Sequence, residues 1–122
     1  MTEREPLITA YLGMGGNLGN PQTLFSQALE LLGQNPSCKT VRESQRLESK
    51  PIDADGPNYL NSVVEITWAG SAQDLLALCM SIEQQLGRVR STHNAPRLID
   101  LDVLLFGQET ICEPDLQVPH PR

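Results

Sequence analysis

Leu98-Ile99-Asp100-Leu101-Asp102-Val103-Leu104-Leu105-Phe106 decides the fold, because its reading as a strand completes an ordered set of elements. The run is apolar and β-tolerant, interrupted only by two aspartates, and it is bounded by Pro96 and by Gly107. A short apolar run between such breakers reads as a buried strand. Upstream, the polar, helix-breaking segment from Arg88 to Pro96 reads as a loop. Before it, Ala72 to Leu86 carries Leu75, Leu76, Cys79, Ile82 and Leu86 at helical spacing and stops at Gly87. Tyr59 to Trp68, with Leu60, Val63, Val64 and Ile66, reads as a strand. Ser49 to Asn58, holding two prolines and a glycine, reads as a long loop. Lys39 to Glu48 is expected to be one extended strand. Asn20-Pro21 reads as an N-cap with proline at the first helical position, opening a helix through Leu24, Ala28, Leu31 and Leu32 to Gly33. Leu7 to Met14 reads as a strand running into the glycine-rich turn from Gly13 to Asn20. Downstream, Gly107-Gln108 predicts a tight turn into a short strand around Thr110 to Cys112.

The order is β-α-β-β-α-β plus a C-terminal hairpin. It predicts an α+β, ferredoxin-like antiparallel sheet with two helices packed on one face. The 122 residues suffice for one domain, 1–122, and not for two. Net charge is −6, a poor match to unaided binding of a nucleic-acid backbone. No apolar run approaches the ~20 residues that span a bilayer, and the N-terminus lacks the blocks of a secretion signal. These features predict a cytoplasmic protein without nucleic-acid or membrane partners, monomeric or homo-oligomeric. Cys38, Cys79 and Cys112 are odd in number and widely spaced, which fits buried thiols better than a disulfide framework or a zinc site.

Successive strand side chains alternate, so Asp100 and Asp102 project from one face while Ile99, Leu101 and Val103 take the other. Two adjacent carboxylates repel each other unless water or a cation lies between them. A solvated pair on an exposed face is one reading; a magnesium site, with oxygen ligands shared with phosphates, is the other. Arg88, Arg90 and Arg97 are three of the nine basic side chains and fall just upstream. Guanidinium forks suit phosphate. They would also serve as plain ion-pair partners for Asp100, Asp102 and Glu83. Gly13-x-Gly15-x-x-x-Gly19 lacks the lysine of a P-loop and reads as a tight strand-to-helix connection at a pocket floor, with Asn17 beside it.

His93-Asn94-Ala95-Pro96-Arg97-Leu98-Ile99-Asp100-Leu101-Asp102-Val103-Leu104 resembles the signature of the 6-hydroxymethyl-7,8-dihydropterin pyrophosphokinase family of folate biosynthesis. Gly15-Gly16-Asn17-Leu18-Gly19, Pro57-Asn58-Tyr59-Leu60-Asn61, Ile82-Glu83 with Gly87-Arg88-Val89-Arg90, and Val118-Pro119-His120-Pro121-Arg122 resemble further motifs of the family, in order. The resemblance implies transfer of pyrophosphate from ATP to the pterin hydroxymethyl group, with attack of its hydroxyl on the β-phosphorus and release of AMP. It implies two Mg2+ ions on Asp100 and Asp102, with ATP as co-substrate. Arg88, Arg90, Arg97 and His120 would contact ATP, Arg88 and Arg90 also acting in catalysis. Ser49, Ile52, Tyr59 and Asn61 would form the pterin side.

The resemblance also puts Glu83 at a matching helix position near the pocket. Bland alternatives stand beside these readings: a surface-turn histidine for His120, a core aromatic for Tyr59 and a plain helix-surface glutamate for Glu83. The sequence also departs from the family pattern. Gly16 stands where serine is usual, and Lys50 where an acidic or small residue is frequent. Family members continue past the stretch ending at Arg122, with a further arginine for ATP and an aromatic for the second pterin face. That departure keeps two other expectations open: a catalytically weak relative that binds nucleotide or pterin without turnover, and a ferredoxin-like interaction module.

Overall fold

Alternating burial along Tyr59–Trp68 puts Leu60, Val64, Ile66 and Trp68 in the core and Tyr59, Asn61 and Val63 on the opposite, open face. This strand, β4, organises the sheet. The computed structural model describes residues 7–17, 19–50, 58–87, 99–108, 111–113 and 116–118. In chain order the elements are β1 (Ile8–Gly16), α1 (Pro21–Gln34), β2 (Cys38–Glu43), β3 (Leu47–Ser49), β4 (Tyr59–Trp68), α2 (Ala72–Gly87), β5 (Asp100–Phe106), β6 (Ile111–Glu113) and β7 (Leu116–Val118). The main sheet runs β2-β4-β1-β5, with β3 also paired to β4, and every pairing is antiparallel. The ferredoxin-like α+β expectation holds. β6 and β7 form the separate C-terminal hairpin.

Both helices lie on the same face of the sheet. Leu24, Phe25, Ala28 and Leu32 of α1 and Ala72, Leu75, Cys79 and Ile82 of α2 join Leu12, Met14, Leu101 and Val103 in one apolar core. Asn20 caps α1 by accepting from the Thr23 amide at 3.3 Å, with Pro21 at the first position as expected. Ser71 Oγ caps α2 by accepting from the Asp74 amide at 3.0 Å, and the Ser71 carbonyl accepts from Trp68 Nε1 at 2.9 Å. Among the described residues, no helix is long and apolar enough to cross a membrane.

Several boundaries differ from the sequence reading. The glycines expected in a turn lie in β1: Gly13, Gly15 and Gly16 pair with Val63, Asn61 and Leu60 of β4. Ladder bonds to a neighbour on each side outweigh the poor strand propensity of glycine. The expected strand Lys39–Glu48 is divided, because Ser44 steps out between β2 and β3. Its amide donates to the Val63 carbonyl at 2.8 Å while its Oγ accepts from the Val63 amide at 2.9 Å. Ser49, assigned to the following loop, belongs to β3 and pairs with Tyr59; residues 51–57 of that loop lie outside the described residues.

β5 begins at Asp100 rather than Leu98, and it is bulged. Leu12 pairs with Val103 but Tyr11 pairs with Leu105, so Leu104 is the extra residue. The bulge reverses the alternation downstream, which buries Phe106 (2% exposed) and turns Leu105 outward. Gly107 then turns the chain at φ 56°, a left-handed conformation that glycine adopts without strain.

Candidate active site

The open face of the sheet, away from the helices, brings together residues far apart in sequence. Asp100 of β5 pairs with Gly15 of β1, which pairs with Asn61 of β4, which pairs with Leu47 of β3. Asp102 pairs with Gly13 in the next rank. Asp100 and Asn61 are thus two strand spacings apart, about 10 Å, with a glycine between them. Among the described residues, a β-carbon built on Gly15 would meet only Asn61, its Oδ1 at an ordinary 3.5 Å, and the Leu60 carbonyl at 3.9 Å. Among the described residues, the absent side chain leaves a shallow channel along the sheet face between the pair of carboxylates and the amide. At Gly13 the neighbour is the bulged Leu104, whose Cδ1 would lie 3.3 Å from such a carbon.

At the amide end, Asn61 Nδ2 donates to Ser49 Oγ at 3.2 Å, so two residues assigned to the pterin side are in direct contact. Tyr59 is 40% exposed on the same face, which removes its reading as an ordinary core aromatic. Asn58 Nδ2 donates to Glu48 Oε1 at 3.3 Å, and Asn17 lies half-buried at the end of β1. Both asparagines line a cavity of about 340 Å3 with Gly19, Pro21, Gln22, Glu48 and Leu60. It lies against the start of α1 and contains neither Asn61 nor the aspartates.

At the acidic end, Asp100 and Asp102 are half-buried on the open face, as strand alternation requires. Their hard oxygen donors fit magnesium. Among the described residues no group of three His, Cys, Asp or Glu side chains could hold a metal, so further ligands would have to come from elsewhere, as phosphate and water do in many magnesium sites. Glu83 is not a plain helix-surface glutamate. Its Oε2 accepts from the Leu101 amide, between the two aspartates, at 2.7 Å. Arg88, Arg90, Arg97, His120 and Ile52 lie outside the described residues.

Sequence reasoning missed Arg46, which binds Gln22, a residue lining the cavity at the start of α1. Its guanidinium donates to Glu43 at 2.8 and 3.2 Å, to the Gln22 carbonyl at 3.0 Å and to Gln22 Oε1 at 2.9 Å, and lies 5.5 Å from the Phe25 ring centroid. It ties the turn before β3 to α1. A lone arginine in a polar stretch carried no periodic signal that could have marked it.

Fold and face together define a small α+β protein with a carboxylate pair and an amide at opposite ends of one open channel. A model of the 7,8-dihydro-6-hydroxymethylpterin-pyrophosphokinase (HPPK) family matches residues 11–122, and the chain belongs to that family. The 2-amino-4-hydroxy-6-hydroxymethyldihydropteridine pyrophosphokinase of Bacillus subtilis (strain 168) is 40% identical over 114 residues, covering 93% of this chain and 68% of that protein. The protein of the same name from Haemophilus influenzae is 37% identical over 115 residues, covering 93% and 72%. The one from Pseudomonas putida is 34% identical over 113 residues, covering 93% of this chain and 94% of its own.

Proposed function

We propose that this chain transfers pyrophosphate from ATP to the hydroxymethyl group of 6-hydroxymethyl-7,8-dihydropterin and releases AMP. The observation that carries the reading is the rank Asp100–Gly15–Asn61 across three adjacent strands, an acidic end facing an amide end over a glycine. Family membership and the names of the relatives supply the substrates.

In this reading the pterin lies over Gly15, with its polar edge on the Asn61 amide and its ring against Tyr59. Its hydroxymethyl arm then points toward β5. Asp100 and Asp102 would hold two magnesium ions, which when bound would neutralise charge on the phosphate oxygens. Arg88, Arg90, Arg97 and His120 are assigned to the ATP phosphates on the resemblance alone. The hydroxyl oxygen forms a bond to the β-phosphorus as the bond from that phosphorus to the α–β bridging oxygen breaks. AMP departs, and the hydroxyl proton passes to solvent. Such a transfer depends chiefly on alignment and charge stabilisation, so the assigned residues need not include a strong general base. The net charge of −6 supports small-molecule rather than nucleic-acid partners.

The test is AMP release from ATP in the presence of the dihydropterin. Asp102→Ala is expected to lower turnover at least ~100-fold while leaving the fold intact, the scale seen when one transition-state charge stabiliser is removed. Turnover retained in that variant refutes the metal assignment. Tight binding of both substrates by the wild type without AMP release selects a binding protein instead.

A further inference from the structure

We propose that Glu83 is a positioning residue for the metal site: it grips β5 by the backbone amide between Asp100 and Asp102 and fixes the spacing of those two carboxylates. The inference rests on the reading of Asp100 and Asp102 as magnesium ligands.

Among the described residues β5 ends the main sheet, with β1 on one side. In an antiparallel pair, alternate residues turn their N–H and C=O groups toward the partner or away from it. The Leu101 N–H is among those turned away, because it meets Glu83 Oε2 at 2.7 Å. Asp100 and Asp102 therefore direct their own backbone groups to Gly15 and Gly13 of β1. The strand is held on both edges within three residues, by ladder bonds on one side and a carboxylate on the other.

A hydrogen bond to an ionised acceptor is short and strong, and 2.7 Å lies at the short end of the range. An end strand held by a single ladder twists readily, and ligand side chains must keep their geometry within about 0.5 Å. A carboxylate clamped midway between two ligand-bearing residues limits that twist. Among the described residues Glu83 does not form a three-membered group of candidate metal ligands with Asp100 and Asp102. Its neighbour Ile82 is buried against the sheet, which fixes the helix that carries it. Glu83 also lies four residues before Gly87, where α2 ends and the chain continues to Arg88 and Arg90. One side chain thereby couples the metal-bearing strand to the helix end from which the arginine segment departs.

The experiment measures Mn2+ binding by electron paramagnetic resonance with a non-hydrolysable ATP analogue, for wild type, Glu83→Ala, Glu83→Gln, Glu83→Asp and Asp102→Asn. Loss of a residue that orients ligands typically weakens metal affinity by about 10- to 100-fold, and Glu83→Ala is expected at the lower end of that range. Glu83→Gln retains an acceptor oxygen at the same reach and is expected to stay within about 3-fold of wild type. Glu83→Asp keeps the charge but shortens the arm, and is expected to lose about as much as alanine. The Leu101 amide resonance should move upfield in the alanine and aspartate variants and stay near its place in the glutamine variant. Wild-type affinity in Glu83→Ala, or in Glu83→Asp should the alanine variant not fold, overturns the inference. So does a glutamine variant as weak as alanine, since charge rather than position would then be the cause. A wild-type protein that binds no Mn2+, or an Asp102→Asn variant that binds it as well as wild type, overturns the metal reading itself. Either result is distinct from binding that Glu83 does not influence.

Discussion

Asn61 Nδ2 donates to Ser49 Oγ at 3.2 Å, joining β4 to β3 across the open face and orienting the amide that faces Gly15 and Asp100. The bond uses one donor of the amide. Its carbonyl oxygen and second N–H remain suited to a ligand that presents a donor beside an acceptor.

Asn61→Ala is therefore expected to raise KM for the dihydropterin about 10-fold, the equivalent of one or two net hydrogen bonds. KM for ATP should change less than about 2-fold, since the proposed reading puts the nucleotide at the acidic end, away from Asn61. Ser49→Ala loses only the orienting bond and is expected to raise the pterin KM by about 2- to 3-fold. Steady-state kinetics with each substrate varied in turn decides it, and equal effects on both substrates would count against a pterin role for this end of the channel.

Gly15 separates stability from function. A methyl group there meets Asn61 Oδ1 at 3.5 Å, ordinary contact, and alanine in a strand is about 0.5–1 kcal/mol more favourable than glycine. Gly15→Ala is expected to keep or raise the melting temperature while lowering kcat/KM by about 10-fold or more, because it fills the channel between Asp100 and Asn61. Unchanged kcat/KM would mean that the substrate does not pass over Gly15.

Ser62 lies on the helix-facing side of β4, 5% exposed, and its Oγ has no hydrogen-bond partner among the described residues. A buried hydroxyl without a partner costs about 1–3 kcal/mol. Ser62→Ala is expected to raise stability by about 1 kcal/mol, read as a higher midpoint in urea denaturation at unchanged slope. Destabilisation would show that the hydroxyl has a partner in solution.

Burial pushes the Cys79 thiol up to about 12 and that of Cys38 up to about 11, from an ordinary value of 9.0. Folding thus favours the protonated thiols. That contribution is complete below about pH 9, where the unfolded thiols are still protonated, and is lost as pH rises from about 9 through 11 to 12. Thermal denaturation of Cys79→Ala should start from a lower stability at neutral pH, by about 1–2 kcal/mol of lost burial, and fall less steeply above about pH 9 than the wild type. Parallel slopes would contradict it. The Cys112 side chain lies outside the described residues.

Periodicity carried most of the architecture. The helical spacing in α1 and α2, the cap at Asn20, the stop at Gly87 and the alternation of β4 depend on local preference and on one buried face, both written into adjacent residues. The same alternation put Asp100 and Asp102 on one face. It failed at Leu104-Leu105-Phe106, where every residue is apolar and no pattern marks the inserted one; only pairing with Tyr11 and Leu12 shows the bulge.

By itself, then, the sequence determined the element order, the two-carboxylate face and, through its motifs, the family. Tertiary structure decided what lies between the motifs. Glycines that look like a turn become the floor of a channel because β4 and β5 pair on either side of them. Glu83 becomes a clamp on Leu101 only when α2 packs against β5. Local preference acts over a few neighbouring residues, whereas register and helix packing are set by contacts between segments tens of residues apart, and those contacts give Gly15 and Glu83 their places.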